Sequence, residues 1–167
     1  MIISNSSPLM YLTKINQLEL LKKLFKEIII PREVYEEVVV RGKEGNFLDA
    51  LKVEKAISDN WIKVKDVAID KEIEKFSNEI DLGEISVINL AKRLNADLIL
   101  IDDASARAIA EILGFKVKGT IYILLESYRK KLINKKEIKD LLFLLISEGF
   151  RISSELYAKI LDYIEKE

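Results

Sequence analysis

The stretch Ala96-Asp97-Leu98-Ile99-Leu100-Ile101-Asp102-Asp103 decides the fold of this chain. Its four consecutive apolar residues, 98–101, form a short run that is typical of a strand covered on both faces of a parallel sheet. A helical pattern begins directly afterwards, at Ala104. We therefore expect Asp102 and Asp103 at the carboxyl end of a strand, which is where open α/β sheets bind their ligands.

The first residues of the chain have the same layout. Residues 1–4 predict a strand, Asn5 follows it, and Ser7 is placed to cap a helix that has Pro8 at its first position. The remaining patterns predict strands at 27–30, 61–64 and 115–118, and helices at 18–25, 31–40, 47–58, 69–76, 82–94, 104–113, 120–132, 135–146 and 153–165.

This alternation of strands and helices predicts the fold class. Strands separated by helices of crossover length form a mainly parallel sheet with right-handed connections. Uninterrupted apolar strands suit a sheet that has helices on both faces. We therefore expect an α/β protein with a three-layer α/β/α sandwich, a helical C-terminal end and a single domain over residues 1–167.

The composition excludes several kinds of chemistry. The chain has no histidine and no cysteine, which removes a Ser-His-Asp triad, disulfides and zinc sites built from these residues, and fits a reducing compartment. Its net charge of −1, from 27 basic and 28 acidic residues, creates no overall attraction to nucleic acid. The start of the chain does not resemble a signal peptide, and the apolar run at 141–146 is too short for a membrane span. We expect a soluble cytoplasmic protein.

The polar residues that follow the strands form a candidate metal site. Asn5, Asp102 and Asp103 are expected at one edge of the sheet, with Glu37 and Glu84 reaching in from helices beside them. Oxygen ligands of this kind suit Mg²⁺ or Mn²⁺. Without a cation, packed carboxylates repel one another and some must be protonated.

Each of these side chains also has a structural interpretation. Asp81 and Glu84 have the spacing of a capping box, which is the better interpretation from these residues alone. Asp102 is as well suited to cap the next helix as to bind a ligand. Arg107 is spaced to form a surface pair with Asp103. The others are ordinary in their places: an Asx turn at Asn5, a solvent-facing helix surface at Glu36 and Glu37, and helix-start hydroxyls at Ser6 and Ser7.

Taken together, several stretches resemble a known family. The chain resembles PIN-domain proteins, specifically the small prokaryotic branch found in toxin–antitoxin-type operons, and the resemblance covers nearly its whole length. The matching stretches are Ile2-Ile3-Ser4-Asn5-Ser6-Ser7-Pro8-Leu9, Ile30-Pro31-Arg32-Glu33-Val34-Tyr35-Glu36-Glu37-Val38, Leu82-Gly83-Glu84-Ile85-Ser86-Val87-Ile88, Leu100-Ile101-Asp102-Asp103-Ala104-Ser105-Ala106-Arg107, Val117-Lys118-Gly119-Thr120-Ile121 and Gly149-Phe150-Arg151-Ile152-Ser153.

The resemblance implies an endoribonuclease that uses Mg²⁺ or Mn²⁺ to hydrolyse phosphodiesters with a metal-activated water. It also implies RNA as substrate, a small antitoxin protein as a possible partner, and a homodimer. The acidic positions of the family fall on residue 5, on Glu37 with Glu36 as the close alternative, on Glu84, and on Asp102 or Asp103. The family's small hydroxyl near the first acid corresponds to Ser6 or Ser7.

The chain departs from the family pattern at one of these positions. Residue 5 is Asn where an active member has Asp, so the site loses a full negative charge while keeping a carbonyl oxygen. Two interpretations follow and remain open: a nuclease with reduced activity, or a degenerate module that binds RNA or a protein without cutting. A phosphotransfer module fits poorly, since its Asp follows the first strand, where this chain has Asn5.

Overall fold

The centre of the sheet is the strand that begins at the second residue. The structure is a computed structural model that describes residues 1–166. The described residues form one sheet of five parallel strands in the order β3-β2-β1-β4-β5. Their bounds are β1 Ile2–Ser4, β2 Ile28–Pro31, β3 Ile62–Lys65, β4 Leu98–Leu100 and β5 Val117–Lys118. The predicted parallel sheet is therefore confirmed.

Helices connect and flank the strands, as expected for a parallel sheet. They are α1 Ser6–Lys14, α2 Glu19–Phe25, α3 Arg32–Tyr35, α4 Gly42–Glu44, α5 Leu48–Ser58, α6 Lys71–Glu74, α7 Leu82–Leu94, α8 Ala104–Ile112, α9 Thr120–Arg129, α10 Lys135–Ser147 and α11 Ser154–Lys166, with a π-helical segment, Glu36–Arg41, between α3 and α4. The α/β/α fold with a helical C-terminal end is confirmed.

The apolar strand runs explain why helices cover both faces of the sheet. Successive residues of a strand point to opposite faces, yet Ile29 and Ile30 are both buried, and so are Ile99 and Leu100. Both faces of the two strands next to β1 are therefore packed against helices. This burial is the driving force that holds the carboxyl ends of β1, β2 and β4 side by side.

Two helix starts follow the capping rule that the sequence indicated. At α7, Asp81 accepts a hydrogen bond from the backbone N–H of Glu84, and the Glu84 carboxylate accepts one from the N–H of Asp81. Asn134 and Glu137 make the same reciprocal pair at α10. The capping box predicted for Asp81 and Glu84 is confirmed, and it fixes the side chain of Glu84 at the start of α7.

Other local predictions were wrong. The residue at the N-cap position of α1 is Asn5 rather than Ser7, so Pro8 is the third residue of the helix. Asp103 caps α8, and Asp102 does not. The helix predicted at 31–40 changes to π-helical geometry at residue 36, and α4 follows that segment directly. For Asp102 the reason is a contact with a distant residue, because its two oxygens accept hydrogen bonds from Thr120.

The apolar helix segments at 18–25 and 141–146 each place part of their residues in the core. Leu20 and Leu21 of α2 are buried, as are Leu141 and Leu142 of α10. Phe143, one residue further along, is 70% exposed. In the part of the chain that the structure describes, no helix has both the length and the apolar character that crossing a bilayer requires.

Candidate active site

Asn5 lies where the two central strands β1 and β4 end. Its backbone N–H donates to the carbonyl oxygen of Leu100 at 2.9 Å, which aligns it with the end of β4. The side chain is 4% exposed, and its Oδ1 atom is buried with no hydrogen-bond partner among the described residues. A buried acceptor without a partner costs about 1–3 kcal/mol. This oxygen is therefore well suited to meet a group from outside the chain.

Glu37 approaches the same edge from the π-helical segment. Its Oε2 atom accepts a hydrogen bond from the hydroxyl of Ser6, the residue after Asn5. Glu37 is partly buried, whereas Glu36 is exposed. A π-helical segment has more residues per turn than an α-helix, which changes the direction of its side chains, and such segments are frequent at functional sites.

Gly83, at the start of α7, lies close to these groups and adds no side chain among them. A methyl group on Gly83 would lie 3.6 Å from Oε2 of Glu37, 3.8 Å from Oδ1 of Asn5 and 3.2 Å from Oδ1 of Asp81. Three oxygen-bearing side chains from distant parts of the chain therefore surround one point. Glycine keeps that point free of side-chain atoms.

Glu84 follows and is 6% exposed. Burial is the main cause that raises the pKa of its carboxyl from 4.5 to about 7. The negative charges of Asp81, Asp103 and Glu37 act in the same direction, against the lowering effect of the backbone hydrogen bond from Asp81. The capping interpretation and the site interpretation of Glu84 are thus compatible, since the same carboxylate caps α7 and faces the other acids.

The neighbouring acids Asp102 and Asp103 face different partners. Asp103 accepts a hydrogen bond at 2.9 Å from the N–H of Ala106, and its charge acts on Glu84. Asp102 instead accepts two hydrogen bonds from Thr120, from its N–H and its hydroxyl, both at 2.7 Å. Burial raises the pKa of Asp102, although these bonds and the charge of Arg107 oppose the increase.

The surface pair expected between Arg107 and Asp103 is absent from the ion pairs of residues 1–166. Arg107 lies on the side of Asp102 instead, since its Nη1 atom and Oδ1 of Asp102 are both close to Gly119. Sequence reasoning missed Thr120 and Gly119 as neighbours of the acids. Their position directly after β5 was the available signal.

The site provides several oxygen donors, but they do not form a complete set of metal ligands. Within residues 1–166, no three acidic side chains are arranged to hold a metal ion. The donors present are carboxylates and one amide oxygen, which are the ligands that Mg²⁺ and Mn²⁺ prefer. The unpartnered oxygen of Asn5 and the raised pKa of Glu84 both fit a place that a cation would stabilise.

A comparison with protein families identifies the family of the chain. The family model DUF3368, described as a PIN domain, matches residues 1–166. The chain belongs to the PIN-domain family. The resemblance found in the sequence is therefore confirmed, and PIN domains are typically nucleases that use divalent metal ions. No curated protein matches the chain.

Proposed function

We propose that this PIN-domain protein is a Mg²⁺- or Mn²⁺-dependent endoribonuclease whose activity is reduced by Asn5. The observation that carries the proposal is that the buried, unpartnered Oδ1 atom of Asn5 and the Glu37 carboxylate both lie beside Gly83. Acids alone do not make a site. The orphaned amide oxygen is an independent sign that a ligand belongs there, because a buried acceptor is normally hydrogen-bonded.

The chemistry of the donors fits a hard cation. Asn5, Glu84 and Asp103 would hold the ion, with Glu37 beside them. Asp102 would become a ligand only if its oxygens gave up their hydrogen bonds from Thr120. A bound Mg²⁺ or Mn²⁺ ion supplies an activated water and neutralises the charge that develops on a phosphodiester. RNA is the substrate that the family suggests.

The residues of the chain prepare this site in three ways. The Ser6 hydroxyl orients the carboxylate of Glu37. The capping box holds Glu84 at the first turn of α7. The burial of Glu84 raises the pKa of its carboxyl to about 7, so a bound cation would stabilise the charged form that this environment otherwise disfavours.

Asn5 is the reason to expect reduced activity. An amide oxygen can coordinate a cation, but it carries no negative charge, so it offsets less of the cost of removing the ion from water. The same residue favours the second candidate function, a degenerate module that binds RNA or a protein partner without cleavage. Both candidates share the site and differ in whether it completes the reaction.

A cleavage assay separates the two candidates. Purified protein is incubated with structured and unstructured RNA, with Mn²⁺ or with a chelator, as the natural chain and as Asn5→Asp. We expect slow metal-dependent cleavage by the natural chain and at least about tenfold faster cleavage by Asn5→Asp, because the added carboxylate strengthens the hold on the ion. The matched control is Asn134→Asp, which makes the same change at the cap of α10.

Each outcome has a meaning. Cleavage only by Asn5→Asp identifies the natural chain as a degenerate nuclease that binds without cutting. No cleavage and no Mn²⁺ binding by either protein contradicts the nuclease proposal. Equal acceleration by Asn134→Asp would show that added charge acts through RNA or ion attraction in general and not through the site.

The partners implied by the family are part of the proposal. We propose that the chain forms a homodimer in the cytoplasm and binds a small antitoxin protein. Phe47 and Leu48, at the start of α5, are 65% and 77% exposed. They lie next to the segment that carries Glu37, and we propose that a partner chain covers them. Light scattering of the natural chain and of Leu48→Ser measures the assembly state, and a monomer at all concentrations would contradict the dimer.

A further inference from the structure

The two aspartates after β4 differ in what holds them. Asp103 is exposed and accepts a hydrogen bond from the N–H of Ala106, whereas both oxygens of Asp102 accept hydrogen bonds from Thr120. The N–H of Thr120 donates to Oδ1 of Asp102 and the Thr120 hydroxyl donates to Oδ2, each at 2.7 Å. Thr120 itself is 0% exposed. These are charge-assisted bonds away from bulk water, the stronger class of hydrogen bond.

Gly119 is needed for this contact because of space. A methyl group on Gly119 would lie 2.5 Å from Oδ1 of Asp102, which is too close, and 3.1 Å from Nη1 of Arg107, which is a tight contact. The backbone φ of Gly119 is −125°, a value that any residue adopts. Glycine at position 119 therefore allows the Asp102 carboxylate to lie close to the backbone. Arg107 places a positive charge near the same carboxylate.

The contact joins two turns at the edge of the sheet. The backbone N–H of Ile101 donates to the carbonyl oxygen of Lys118 at 2.9 Å, so β4 and β5 are tied immediately before Asp102. The bonds to Thr120 then tie the turn itself. Asp103 is the next residue. Its side chain is held by a hydrogen bond from the backbone N–H of Ala106.

We propose that Asp102 is a positioning residue that acts through Thr120, with space left by Gly119, to fix the turn that carries Asp103. The inference rests on the proposed nuclease function and assigns the last acid of the site to Asp103. A direct metal-ligand role would require Asp102 to give up two short bonds to a buried threonine and to move away from Arg107.

The experiment uses Mn²⁺ binding measured by calorimetry, in the natural chain and in the Asn5→Asp background. Thr120→Val removes the hydroxyl and keeps the shape of the side chain, and Thr120→Ser keeps the hydroxyl. The matched control is Thr13→Val, since Thr13 is also 0% exposed and donates its hydroxyl to a buried acceptor, the carbonyl of Leu9. The unfolding free energy of every variant is measured in parallel.

We expect Thr120→Val to weaken Mn²⁺ binding about tenfold, as loss of an outer hydrogen bond to a metal site does. Thr120→Ser should stay within about twofold of its parent, and Thr13→Val should lose stability without losing affinity. Unchanged affinity in Thr120→Val overturns the positioning role while the nuclease proposal stands. Absence of Mn²⁺ binding in both backgrounds overturns the nuclease proposal, and the positioning role falls with it.

Discussion

Replacing Glu84 by glutamine removes a carboxylate that destabilises the folded chain at neutral pH. The burial of Glu84 raises the pKa of its carboxyl from 4.5 to about 7, with added repulsion from Asp81, Asp103 and Glu37. The folded state therefore binds the proton more tightly than the unfolded state. Wild-type stability is unaffected by this group below pH 4.5, declines as the pH rises from 4.5 to about 7, and stays lowered above that range.

The size of the effect follows from the two pKa values. Their difference corresponds to about 3 kcal/mol at most, and partial hydration of the site reduces this to roughly 1–3 kcal/mol. The amide introduced by Glu84→Gln keeps an oxygen for the N–H of Asp81, so the capping box survives. We expect Glu84→Gln to match the wild type at pH 4 and to exceed its unfolding free energy by that amount at pH 8, in a chelator.

The assay is urea denaturation at pH 4, 6 and 8, for wild type, Glu84→Gln and the exposed control Glu36→Gln. A second arm adds Mn²⁺ at pH 8, which should raise the stability of the wild type and have much less effect on Glu84→Gln. A stability difference that does not change between pH 4 and pH 8 would refute the reasoning. So would an equal gain in Glu36→Gln.

Two further predictions concern the space beside α7 and the hydroxyl next to Asn5. Gly83→Ala should weaken Mn²⁺ binding, because its methyl group would lie 3.2 Å from Oδ1 of Asp81 and within 3.8 Å of Glu37 and Asn5. Calorimetry measures the affinity, and undiminished affinity would contradict the prediction. Ser6→Ala should lower Mn²⁺ affinity several-fold, because Glu37 loses the hydrogen bond that orients it. The unfolding free energy should fall by less than about 1.5 kcal/mol. A loss of stability without a loss of affinity would show that Ser6 serves only the fold.

The sequence was informative wherever the physical cause is local. Short apolar runs such as 98–101 predicted the strands, because a strand buried on both faces must be apolar at every position. The pair Asp81 and Glu84 predicted a capping box, because both partners lie within one turn of helix. The absence of histidine and cysteine limited the chemistry to oxygen donors.

The sequence was silent or misleading where the cause is a contact between distant residues. Ser7 was the better local cap for α1, but the bond from Asn5 to Leu100 makes Asn5 the last residue before the helix. The change to π-helical geometry at residue 36 had no sequence signal. It occurs in the segment whose Glu37 reaches the hydroxyl of Ser6.

The acids at the edge of the sheet were predictable from the sequence in part, because both local order and long-range contacts determine their arrangement. Their order along the chain is a property of the sequence alone, and together with the resemblance to PIN domains it predicted a metal-dependent nuclease, with Asn5 as the departure from the family pattern. Which of the two adjacent aspartates bonds to Thr120 was decided only by the tertiary structure. The reason is that Thr120 lies 18 residues from Asp102 and reaches it only because β4 and β5 pair side by side.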